Sequence, residues 1–136
     1  MNNPKARREG LFSECLAEET VIYDKANHTA HTLNQTVATV WEWADGDKSV
    51  NELARLLHSQ LGIPADPGVV LLALEQLQAV GLLETYQEVE KETERTSRRE
   101  VARRLALAGV SAAMVPLVAS VVAPTPAMAV SMVIPE

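Results

Sequence analysis

The chain is poor in several residue types, and each shortage removes a class of function. Cys15 is the only cysteine in 136 residues, so there is no internal disulfide and no thiolate metal cluster. It reads as a small apolar residue on a strand. His28, His31 and His58 share no metal-ligand spacing and read as structural or solvated. No glycine-rich phosphate loop is present, no nucleophile is marked beside a base, and no cysteine triplet could hold an iron–sulfur cluster. These shortages point to a non-catalytic chain with no metal or cofactor of its own.

Positive charge is scarce where a folded body is expected. Between Leu11 and Glu90 thirteen acids face only Lys25, Lys48 and Arg55, a net of −10, although the whole chain carries −6. Basic residues stand outside this body: Lys5, Arg7 and Arg8 before it, then Arg95, Arg98, Arg99, Arg103 and Arg104. A body this acidic repels phosphate and favours a basic partner segment.

Residues 1–10 are expected to be a flexible basic arm. Two β-favouring runs follow, Leu11–Leu16 and Thr20–Tyr23, and then a third, Thr29–Leu33. The last two flank a turn-rich stretch from Asp24 to His28. Val21 and Tyr23 alternate with Ile22, and His31 and Leu33 with Thr32, as in half-buried strands. Asn34 is placed to cap a first helix whose apolar positions are Val37, Val40, Trp41 and Ala44, and Asp45-Gly46 stops it. Trp41 reads as core, whereas Trp43 lies about 200° away around the helix. Ser49 and Glu52 form a capping box for a second helix that buries Leu53, Leu56, Leu57 and Leu61 and ends at Gly62. Asp66-Pro67 opens a third helix with Val70, Leu74, Leu77 and Gly81 on one stripe. Leu82 and Leu83 then fold back as a clamp or short strand.

This order predicts an α+β, winged-helix-like domain over 11–87. Two or three short strands precede a three-helix bundle, a polar and then arginine-rich linker spans 88–104, and an apolar tail helix lies within 105–136. The body is near the lower limit at which a single core is stable without staples.

The residues Leu33-Asn34, Trp41-Glu42-Trp43-Ala44-Asp45-Gly46, Ser49-Val50-Asn51-Glu52-Leu53 and Leu74…Leu77…Gly81-Leu82-Leu83 resemble the PqqD family. Members are small winged-helix-like peptide chaperones, or recognition elements for ribosomally made, modified peptides. The resemblance covers roughly 11–87. Trp43 stands where the family usually has leucine, and the tail lies outside the family core. The resemblance implies a domain that binds the leader of a precursor peptide as an added strand and delivers it to a modifying enzyme, often a radical iron–sulfur enzyme. The implied site is Thr29, Ala30, His31, Thr32 and Leu33 on the third strand, facing a groove against the third helix. An exposed strand edge offers unpaired amides and carbonyls to such a peptide. On the helix, Leu71 and Leu72 beside Glu75 and Gln78 lie off the core stripe. They either line the groove or are covered by the N-terminal strand or the tail. Val69, Ala73 and Val80 lie on the other side, and the flank that faces the groove stays open at this level.

The tail has no charge from Leu105 to Pro135 and follows Ser97-Arg98-Arg99-Glu100-Val101-Ala102-Arg103-Arg104. Basic, apolar and Ala-x-Ala segments (Ala127-Met128-Ala129) succeed one another as in a secretory signal with twin arginines, at the wrong end of the chain for ordinary export. Three readings stay open. Residues 105–123 span a membrane with the arginines inside, which would anchor a cytoplasmic domain to the inner membrane. The tail docks as a helix on its own domain or on a partner. Or it keeps a targeting or substrate-like role. The different-class alternative for the whole chain is a membrane-tethered interaction or regulatory module that reuses the fold.

A DNA-binding reading of the second and third helices needs basic side chains that reach phosphates and bases. Val69–Val80 offers Gln76 and Gln78 beside Glu75, and no Arg or Lys. Titration with duplex DNA at low salt is therefore expected to give no saturable binding. Sub-micromolar binding that weakens steeply with salt would contradict the charge argument.

Overall fold

The computed structural model describes residues 3–85 and 98–122. The architecture is α+β with antiparallel strands. β1 (Lys5–Ala6), β2 (Leu11–Cys15), β3 (Glu19–Asp24) and β4 (Thr29–Asn34) lead into α1 (Gln35–Trp43), α2 (Val50–Leu61) and α3 (Pro67–Ala79). β5 (Leu83–Thr85), α4 (Arg98–Leu107) and β6 (Val118–Val122) follow. One sheet has the order β2-β3-β4-β6, and β1 pairs with β5 in a second.

The helix boundaries follow local chemistry. Asn34 Oδ1 accepts from Val37 N at 3.1 Å. Ser49 Oγ accepts from Glu52 N at 3.2 Å while Glu52 Oε1 accepts from Ser49 N at 2.7 Å, which satisfies two orphan amides at once. Asp66 Oδ1 accepts from Gly68 N at 2.8 Å just ahead of α3. That helix ends in a Schellman turn: Gly81, at φ 77°, donates to Gln78 O, and Leu82 donates back to Leu77 O.

Ile22, His31 and Leu33 point from the sheet into the core, where they are buried with Val37, Val40, Leu53, Leu57, Leu74 and Leu77. α3 packs against both α1 and α2, and it is buried on more than the expected stripe: Val69, Leu72 and Ala73 are covered as well as Val70, Leu74 and Leu77. A helix apolar around most of its circumference needs cover on several sides. α4 supplies part of it.

The two ends of the chain depart from expectation. The N-terminal arm is held in place. Ala6 is buried and donates to Ala44 O at 2.8 Å, and Arg7 N donates to Leu82 O at 3.0 Å. Arg7 reaches the buried Asp24 carboxylate at 3.0 Å. Arg8 lies 4.3 Å from the centre of the Trp41 ring and donates to Trp41 O and Glu42 O, the carbonyls that end α1. Arg7 and Arg8 thus find a buried anion and a helix C-terminus, while Lys5 pairs with Glu84 at the surface at 3.4 Å.

Among the described residues of the tail, 105–122, no continuous helix forms. α4 starts inside the stretch expected to be a linker and stops in a Schellman turn, with Gly109 at φ 82°, Gly109 N donating to Ala106 O and Val110 N to Leu105 O. A 3-10 turn at Ala112–Met114 follows, capped by Ser111. Pro116 has no amide to continue a helix, and the valines beyond it favour an extended strand. Among the described residues no helix is long and apolar enough to cross a membrane. Residues 86–97 and 123–136, with the domain end at 87, most of the linker and the Ala-x-Ala stretch, lie outside the described residues.

Leu77 has no exposed surface. Leu77→Asp is expected to abolish cooperative thermal unfolding followed by circular dichroism, since losing a buried leucine alone costs about 2–5 kcal/mol and the new carboxylate has no partner there. A melt near that of the wild type would contradict this packing.

Candidate functional site

β4 has two neighbours. On one side it pairs with β3, Ile22 opposite His31 and Thr20 opposite Leu33. On the other it pairs antiparallel with β6, Thr29 opposite Val122 through Leu33 opposite Val118. Asn34 N donates to Leu117 O at 3.2 Å, and main-chain groups two residues apart face the same edge. The amides of Ala30 and Thr32 therefore also face β6. The edge that the expected site would offer to a peptide is occupied by a strand from the chain's own tail.

Side chains hold the main chain of that tail ahead of the strand. Gln76, on α3, donates from Nε2 to Pro116 O and accepts at Oε1 from Val118 N, both at 2.8 Å. Asn34 Nδ2 donates to Ala113 O at 3.0 Å and to Val115 O at 2.7 Å, while its Oδ1 accepts from Leu117 N at 3.3 Å. The buried Thr36 hydroxyl donates to Met114 O at 2.6 Å. Arg98 also donates to Pro116 O. Val101, Leu105 and Val115 are the buried anchors, and Arg104 Nε meets Asp66 at 2.8 Å beside the start of α3.

The sequence-predicted residues divide. Thr29, Ala30, His31, Thr32 and Leu33 all lie on β4 in register with β6. On α3, Leu72 is buried, Leu71 half-buried, and Glu75 and Gln78 exposed. The α3 side chain bonded to the tail is Gln76, one turn beyond Leu72 on the same face. Sequence reading left Gln76, Asn34, Thr36 and Asp66 out of the site. A lone glutamine on the Val69–Leu72–Ala73 flank was the available signal. Trp41 belongs to the core, and Trp43 is partly exposed beneath Lys48. Cys15 and Trp41 border a cavity of about 340 Å³ between β2 and α1, away from β4.

Residues 19–83 match the family model described as Coenzyme PQQ synthesis protein D (PqqD). This segment is a PqqD-like domain. Comparison with curated proteins and with solved structures returns no match. At the level of the family, the role is peptide binding by a non-catalytic accessory domain that works with a modifying enzyme. The matched range holds all of β3, β4 and the three helices α1 to α3, and stops before α4 and β6. The PqqD-like domain and its strand partner are thus separate stretches of one chain.

Two ionisable groups lie on the inner face of the sheet. Burial alone would raise the Asp24 carboxyl, but hydrogen bonds from Arg7 and Asn27 outweigh it and lower the pKa to about 2. His31 shares a 2.7 Å hydrogen bond with Ser120 Oγ of β6. Its pKa is lowered from the ordinary value, chiefly because burial disfavours the imidazolium. Arg7 adds to that effect and Asp24 opposes it. A histidine with a depressed folded pKa contributes stability that is complete above the unfolded value of about 6.5 and is lost progressively as pH falls from there through the lower folded value. Thermal stability is expected to drop as pH falls below about 6.5, with a smaller drop in His31→Gln. Equal drops in both proteins would exclude His31 as the cause.

Proposed function

We propose that the PqqD-like domain captures the leader of a precursor peptide by strand addition to β4 and presents it to a modifying enzyme. A radical iron–sulfur enzyme is the class that the family resemblance implies. The domain itself supplies binding and no chemistry. Thr29, Ala30, His31, Thr32 and Leu33 would form the pairing edge. Leu71, Leu72, Glu75 and Gln78, together with Gln76, would form the helix wall. The observation that carries this reading is that the open edge of β4 accepts an extended segment over the register Thr29–Val122 to Leu33–Val118, while Gln76 holds the main chain of the same segment from α3. Main-chain pairing of this kind uses groups that every sequence possesses, so side-chain pockets are left to decide selectivity.

The test needs an edge that can exchange its occupant. A specific protease site is placed within 86–97 of the full chain, the folded protein is cleaved, and the freed segment is diluted away. A phage-displayed library of random 15-residue peptides is then selected against the body. Enriched peptides are expected to bind wild type but lose most of their affinity to Thr32→Pro, which removes an amide facing the added strand, with unchanged helical circular dichroism. Failure to enrich any peptide, or equal binding to folded Thr32→Pro, would remove β4 as the capture edge.

A further inference from the structure

We propose that the peptide held by this domain is its own C-terminal segment, residues 98–122, so that the chain carries its recognition element and a leader-like ligand in cis. This rests on the strand-addition reading above and names its occupant.

Four observations carry it. First, contact with the tail is mostly readout of main chain. Asn34, Thr36 and Gln76 together bond the carbonyls of Ala113, Met114, Val115 and Pro116 and the amides of Leu117 and Val118. β4 then pairs with the tail from Val118 to Val122. A continuous stretch of chain, running out of the 3-10 turn into the strand, is read by groups on the domain, as a bound peptide is.

Second, charge is complementary. The body carries −10 between Leu11 and Glu90 and favours a basic partner, and the segment that docks on it is net basic, with Arg98, Arg99, Arg103 and Arg104 against the single acid Glu100, which Arg103 and Arg104 also approach. One of these, Arg104, pairs with Asp66 at the head of α3.

Third, the segment is anchored on one side and apolar on the other. Val101, Leu105 and Val115 are buried, whereas Leu107, Leu117, Val121 and Val122 are exposed. A strand that only sealed the edge of a sheet would be expected to turn charge or proline outward. This one leaves an apolar surface for a further protein to meet.

Fourth, residues 86–97 tether the segment to the body. A short tether raises the local concentration of a ligand to the order of millimolar, so even weak strand addition is filled in cis. A peptide offered by another molecule must then compete with the resident one.

The test uses the full chain with the cleavable site in 86–97 described above. After cleavage the segment is expected to co-elute with the body on size exclusion at micromolar concentration and to leave it on dilution while the body keeps its circular dichroism. A fluorescent synthetic peptide of residues 98–122 should then rebind saturably. Arg104→Glu in that peptide, which cannot affect folding of the body, should weaken binding roughly tenfold by opposing Asp66. Gln76→Ala in the body should weaken it as well, with the helical signal retained. Release that occurs only with unfolding of the body would make the tail an ordinary structural element and overturn the proposal. So would failure of the peptide to rebind, or equal binding of the Arg104→Glu peptide. If the library peptides bind through Thr32 and the 98–122 peptide does not, the own-segment proposal falls and capture at β4 stands. If neither binds, both fall.

Discussion

Ala30, Thr32 and Asn34 turn their main-chain groups away from β3, and in a sheet ending at β4 those groups would meet only water. Beside them α3 carries Val69, Leu72 and Ala73 on a flank that α1 and α2 do not account for alone. A row of unpaired amides and an apolar helix flank are satisfied together only by a segment that is apolar and helical in one part and extended in another. α4 and β6 form such a segment. Asn34 sits at the junction: it ends β4, caps α1 through Val37 N and bonds the tail at three positions. The first helix and the edge of the sheet therefore share one side chain.

Electrostatics tie the ends of the chain to its middle. The acidic body and the basic flanks, separate in sequence, are joined at several points in the fold, among them the exposed pair of Lys5 and Glu84. Arg7 neutralises the buried Asp24, Arg8 covers Trp41 and the last carbonyls of α1, and Arg104 meets Asp66 at the opening of α3. Asp24 also accepts from Ala26 N, Asn27 N and Asn27 Nδ2. It thereby fixes the β3–β4 turn from which the pairing edge begins. Surface ion pairs contribute little on their own, but Asp24 is buried and hydrogen-bonded on several sides, where loss of the cation would leave an uncompensated charge.

These constraints suit a domain that binds extended chain. The polar groups of Asn34, Thr36 and Gln76 are spent on main-chain recognition. The matched family segment ends at residue 83, whereas the strand β6 that pairs with β4 comes from beyond it.

Much of the body was legible in the sequence because its signals are local. Asn34, the Ser49–Glu52 box, Gly62 and Asp66-Pro67 act on amides or dihedrals within a few residues, so spacing alone reveals them, whereas Gly81, read as part of the apolar stripe, closes the third helix instead. Alternation of Ile22, His31 and Leu33 with their neighbours likewise marked half-buried strands, because a strand's period of two does not depend on its partner, and the fold showed that these three face inward. The resemblance to the PqqD family rested on the same local pattern. Tertiary structure alone decided the rest. Gln76 and Val118 are 42 residues apart, and Asn34 and Val115 are 81 apart. Nothing near a glutamine in sequence says which distant amide it will meet. The uncharged run after Arg104 left open a membrane span, a helix docked on the domain or a partner, and a targeting or substrate-like role, and an added strand was not among these readings. Hydropathy records that a segment avoids water, and only the geometry of the unsatisfied edge beside α3 chose what would cover it.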